Sequence, residues 1–180
     1  AVGPPTALEP AWFGWKTSRR HWNDDAVWVS AIEPYTGIWR ELRYPPMHPL
    51  YPQSVDLAFE IHTEGDPAVV VKWSQPPVRH VAPDNFNGWN QPSIQGSQSI
   101  VADDWVCADP RPISDIHWWG SFIGWQVPTP PETVLAMPSA FVFTIWTDVQ
   151  PVAGGPNWSH PGKVLWRHAT TNYTMSFAGW

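Results

Sequence analysis

The chain has 180 residues, a formal net charge of −6 and only 14% charged residues, a length that suits one domain able to bury most of its apolar surface. Its ten Lys and Arg cluster nowhere beyond the pair Arg19 and Arg20, which excludes the basic stripe that nucleic-acid binding requires. No apolar run approaches the ~18 residues of a membrane span.

The 22 prolines and 12 glycines favour short strands joined by irregular loops, because proline lacks an amide donor and is confined to strand ends and edges. Residues 1–25 are Pro-rich and aromatic, with AWFGWK and HWNDD. They are expected to form an N-terminal arm that packs on the body or on a neighbouring subunit, ahead of a single domain over 26–180.

Candidate strands then follow over 26–32, 36–43, 55–63, 67–74, 99–105, 113–122, 140–148, 163–168 and 172–177. Each is rich in Val, Ile, Phe, Trp or Thr and bounded by turn-forming residues. In VDLAFEIHT, Val55, Leu57, Phe59 and Ile61 share one face, with Asp56, Glu60 and His62 on the other. In SDIHWWGSF, Ile116, Trp118 and Phe122 fall on the core face, and Asp115, His117, Trp119 and Ser121 look outward. No segment shows a sustained helical period, so the expected fold is all-β, a two-sheet antiparallel β-sandwich of jelly-roll type. YPPMHPLYPQ over 44–53 and VPTPPETVLAMPS over 127–139 read as long surface connections.

Fifteen tryptophans against six leucines imply that most indoles substitute for aliphatic core, leaving a minority for a binding surface. The motif W-x-Q-P occurs at Trp73 and again at Trp89, a short echo that suggests a repeated loop anchor. Exposed rings at Trp119, Trp89 and Trp73, with Asp115, His117 and Gln91 as polar partners, would make a sugar-binding platform. The plainer alternative for Asp115 and His117 is a solvated strand face.

Asp103 and Asp104 are the first candidates for a calcium ion, which takes six to eight oxygen ligands. The seven histidines contain no H-x-H or H-x-x-x-H pair, so no local spacing marks a transition-metal site. The lone Cys107 forbids an intrachain disulfide and reads as a small buried hydrophobe. No nucleotide-binding or nucleophile-elbow motif is present. A carboxylate pair of glycosidase type would leave no local signature.

VADDWVCADPRPISDIHWWGSF over 101–122, FVFTIWTDV over 141–149 and SHPGKVLW over 159–166 resemble a module found in secreted and surface proteins of planctomycetes and related bacteria. KWSQPP over 72–77 is similar to a W-x-Q-P-P element upstream in some members. The resemblance implies an extracellular β-sandwich with no catalytic set to carry over.

The leading expectation is therefore a non-catalytic extracellular β-sandwich that binds polysaccharide or another surface glycan through exposed aromatics. A self-assembling subunit of a fibre, sheath or surface layer is the second reading, and a glycan hydrolase or lyase on a jelly roll the third. The opening at Ala1 without a leader reads as a mature secreted chain.

Overall fold

The computed structural model describes residues 13–30, 37–65, 68–77, 89–94, 99–122 and 138–176. Among these the chain is all-β and antiparallel, without a helix, and its sheets do not close into a barrel, as in a β-sandwich. In chain order the strands are β1 (Phe13–Ser18), β2 (Val27–Val29), β3 (Arg40–Glu41), β4 (Asp56–Leu57), β5 (Phe59–Thr63) and β6 (Val70–Gln75). There follow β7 (Asn90–Pro92), β8 (Ile100–Ala102), β9 (Asp115–Trp118), β10 (Gly120–Phe122), β11 (Phe141–Val149) and β12 (His160–Thr170).

One sheet gathers β10, β4 and β7 around β1. A second has the order β3-β2-β8, a third β6-β5-β9, and β11 and β12 form a two-stranded ribbon. The alternation seen in the sequence explains the third sheet. Phe59 and Ile61 turn inward on β5, and Ile116 and Trp118 do the same on β9.

Two long expected strands are each interrupted once, and the interruptions coincide. The run 55–63 breaks at Ala58 and the run 113–122 breaks at Trp119. Trp119 N donates to Ala58 O at 3.3 Å, Ala58 N to Lys16 O at 2.8 Å and Lys16 N to Trp119 O at 2.9 Å. Before the break 113–122 pairs with β5, and after it with β1. The three residues form the joint where two strands pass from one sheet to another, a place where sandwich strands bend or bulge. The bend also ends the simple two-residue alternation at Trp119.

The principal core holds Ala26, Leu42, Tyr44, Val55, Leu57, Phe59, Ile61 and Val101, with Trp15, Trp28, Trp73, Trp89, Trp105 and Trp118 packed against it. A second cluster holds Val27, Val29, Trp39 and Ala102 beneath Trp146 and Trp158. Most of the indoles therefore do fill core space, and edge-to-face pairs such as Trp15 with Phe143 and Trp118 with Phe141 join β11 to the body.

Residues 13–25, read from sequence as part of an arm, contain β1, which pairs within the chain with three strands. Residues 1–12 lie outside the described set, as does nearly all of the expected loop 127–139. Residues 172–176 form no strand, contrary to the sequence pattern. Tyr173 there packs edge-on to Phe141, and its hydroxyl donates to Pro138 O at 2.6 Å. Side-chain packing rather than a ladder thus accounts for its aromatic content.

Cys107 is a correction: it is exposed rather than buried. It lies on the strandless stretch 103–114, where Val106 is also exposed, so no sheet face covers it.

Candidate functional site

The residues with recognisable chemistry fall in three places around β5 and β6. The first is the face of β5 and β9 turned away from the core, where Asp115 and His117 are exposed, Glu60 is half-buried and His62, expected to look outward, is buried. Glu60 stands opposite His117 and His62 opposite Asp115 in the antiparallel register, so two carboxylates and two imidazoles form a two-by-two grid. Side chains directly opposite or diagonal on one sheet face interact. The His62 and His117 rings lie 4.3 Å apart, tilted by 54°. His62 Nε2 is 3.4 Å from Glu60 Oε2, and His117 Nε2 is 3.4 Å from Asp115 Oδ1. Contacts of that length are weak as hydrogen bonds. Glu60 Oε1 accepts from Ser74 Oγ at 2.5 Å, which fixes the carboxylate from β6. Asp115 and His117 are thus brought together as the strand pattern predicts, and β5 supplies two partners.

The second place is an indole pair on the opposite face of β6. Trp73 is half-buried against the core, and Trp22 packs edge-on to it with centroids 5.3 Å apart while remaining 40% exposed. Trp73 Nε1 donates to Gln75 Oε1 at 3.1 Å. Gln75 is buried, and its Nε2 donates to Leu57 O and to Asp103 Oδ2, both at 3.0 Å. The backbone N–H of Trp22 is held by Asp56 Oδ2 at 3.1 Å. The exposed ring is therefore fixed through both its main chain and its neighbour.

The W-x-Q echo has the same physical meaning at both sites. Trp89 Nε1 donates to Gln91 Oε1 at 3.2 Å, as Trp73 does to Gln75. Residues two apart on a strand share a face, so the glutamine reaches back to its own tryptophan. Trp89 packs against the core and edge-on to His48. Trp73 and Trp89 thus present less free ring than the sequence pattern implies, and the half-buried Trp119 sits at the inter-sheet joint.

The third place is an acid cluster in which Asp56 is buried and Asp103 and Asp104 are half-buried. Asp56 is fully buried, and its oxygens accept from the backbone of Trp22 and Ala26. Loss of water raises its pKa to about 7, against the partial relief of His21 and these N–H groups. Asp103 Oδ2 accepts from Leu57 N at 2.6 Å and from Gln75, and Oδ1 accepts from Asp104 N at 2.9 Å. Burial, then the nearby Asp56, holds its pKa well above the carboxylate range. Burial raises Asp104 to about 6, with relief from Asn23 and opposition from Asp24 and Asp148. Asp103 is thus occupied by N–H donors. Asp104 Oδ2 accepts from Asn23 Nδ2, while its buried Oδ1 has no partner among the described residues.

Several residues of these places were absent from the sequence-derived set, among them Glu60, His62, Gln75, Asp56 and Trp22. Glu60 and His62 had a usable signal, since the alternation in VDLAFEIHT already placed them on the outer face, but only strand pairing sets them beside His117. Trp22 carried no signal, because nothing local in HWNDD shows that its ring lies on Trp73.

Among the described residues no helix is long and apolar enough to cross a membrane. A family model described as a domain of unknown function, DUF7901, matches residues 3–62 and 71–180, and the chain belongs to that family. No curated protein and no solved structure matches the chain.

Proposed function

We propose that this member of the DUF7901 family is a non-catalytic, extracellular binding module that holds a sugar ring of a surface polysaccharide against Trp22. The observation that carries this reading is the exposed Trp22 indole, held edge-on by a Trp73 that Gln75 fixes in turn. A flat amphipathic ring offers contact area at low entropic cost, and prior immobilisation spares the cost of ordering it on binding. His21, whose ring contacts the Asp25 carboxylate, adds polar groups beside it. The resemblance to secreted planctomycete-type modules supports an extracellular setting.

Affinity electrophoresis and pull-down on a polysaccharide panel test the reading. Trp22→Ala should lose retention with little change in Tm, while Trp166→Ala, which removes another exposed indole, should not. Equal retention of the Trp22 variant, or no retention of the parent protein on any polymer, would refute it.

A self-assembling surface subunit is the second reading, favoured by β12. Val164, Leu165 and Trp166 are 49%, 61% and 44% exposed on a strand that, among the described residues, pairs with β11 alone. An apolar strand with one edge open is a template for pairing with another chain.

A further inference from the structure

We infer that Glu60, His62 and His117 form a binding site for a divalent transition-metal ion, with Zn2+ the best match. One donor atom from each of the three lies within 4.8 Å of the others. Tetrahedral zinc with bonds of about 2.0–2.1 Å sets its ligands about 3.3 Å apart, so modest rotation of the exposed His117 and of Glu60 closes the set.

The donor chemistry selects the ion. Two imidazoles and a carboxylate suit zinc and its neighbours, whereas calcium and magnesium take oxygen ligands in larger number. The site is also built to keep its shape. Its ligands come from adjacent strands in a fixed register, Glu60↔His117, and ligands on a hydrogen-bonded sheet are placed more precisely than ligands on loops. Ser74 holds the Glu60 oxygen not turned to His62, and Asp115 stands at His117 Nε2 as a supporting carboxylate or a fourth ligand. The β6 cation Lys72 does not compete, because its ammonium donates to the carbonyl of Arg111. The site lies on the face of the sheet opposite Trp22 and Trp73, so metal binding and sugar binding are separable.

The test uses the full chain freed of metal with a chelator and titrated with Zn2+ alone by calorimetry, with Co2+ as a spectroscopic substitute. One Zn2+ per chain is expected, with visible Co2+ absorption that Zn2+ abolishes and a rise in Tm on loading. His117→Ala should weaken binding by more than about 100-fold and Asp115→Asn by about tenfold, both with a metal-free Tm near that of the parent. Glu60→Gln provides a second removal of a ligand. His21→Ala is the control, since His21, Asp25 and Asp56 make the other such group among the described residues. Absence of stoichiometric Zn2+ binding, or unchanged binding in both the His117 and Glu60 variants, would overturn the site.

Discussion

Gln75 Nε2 donates to Asp103 Oδ2 at 3.0 Å, tying the end of β6 to the residue after β8 beneath the Trp73 indole. The same amide serves three partners in a buried position, whereas Gln91 in the matching motif is half-buried and holds Trp89. A buried polar group left without a partner costs about 1–3 kcal/mol. Gln75→Leu should therefore destabilise the protein by roughly 2–4 kcal/mol, and Gln91→Leu by about 1 kcal/mol or less. Denaturant unfolding of the two variants checks this, and equal losses would show that the motifs bear equal weight.

The acid cluster around Asp56 sets an unusual pH dependence. Asp56, raised to about 7, Asp103, raised by burial, and Asp104, raised to about 6, hold protons in the folded state that the unfolded chain releases near pH 4. The folded form binds more protons across that window, so their contribution is complete below about pH 4 and is lost as pH rises toward about 7. Asp109, lowered to about 2 beside Arg111, acts in the opposite sense only below that window. Tm should fall by several degrees between about pH 4 and 7, and Asp56→Asn should flatten the slope. A Tm that climbs over this range would contradict the assignment.

Gly120 opposes Trp15 where β10 meets β1. A Cβ at this position would come 2.1 Å from Phe13 Cζ and 2.9 Å from Gly14 O. The ring and the neighbouring strand would both have to shift, at a cost of about 1–3 kcal/mol. Thermal unfolding of Gly120→Ala should show this loss, and Gly154→Ala is no substitute control because its φ of 82° is itself strained for other residues.

The self-association proposed through the exposed strand β12 should be sensitive to a single charge. Leu165→Lys should abolish any concentration-dependent assembly seen by sedimentation or light scattering while changing unfolding stability by no more than about 0.5 kcal/mol. Assembly that persists in this variant would place the contact elsewhere.

Several strands were legible because one face is apolar and the period is two: Val55, Leu57, Phe59 and Ile61 all reach the core, as the pattern in VDLAFEIHT requires. The pattern misled where a strand changes sheets. Asp56, alternating with apolar neighbours, reads as outward-facing, yet it is fully buried under the segment that supplies the Trp22 and Ala26 amides. β1 was missed because FGWKTS mixes Gly and Lys with its aromatics, and its strand character comes from the three partners around it.

For the candidate sites the division is similar. The sequence by itself determined which side chains share a face of one strand, since alternation is a local property of extended backbone, and it therefore paired Asp115 with His117 and Glu60 with His62. Only the tertiary structure decided that these two pairs lie side by side and that Trp22 rests on Trp73, because cross-strand register joins residues some 50 positions apart. It is set by burial of the whole core rather than by any neighbouring residue.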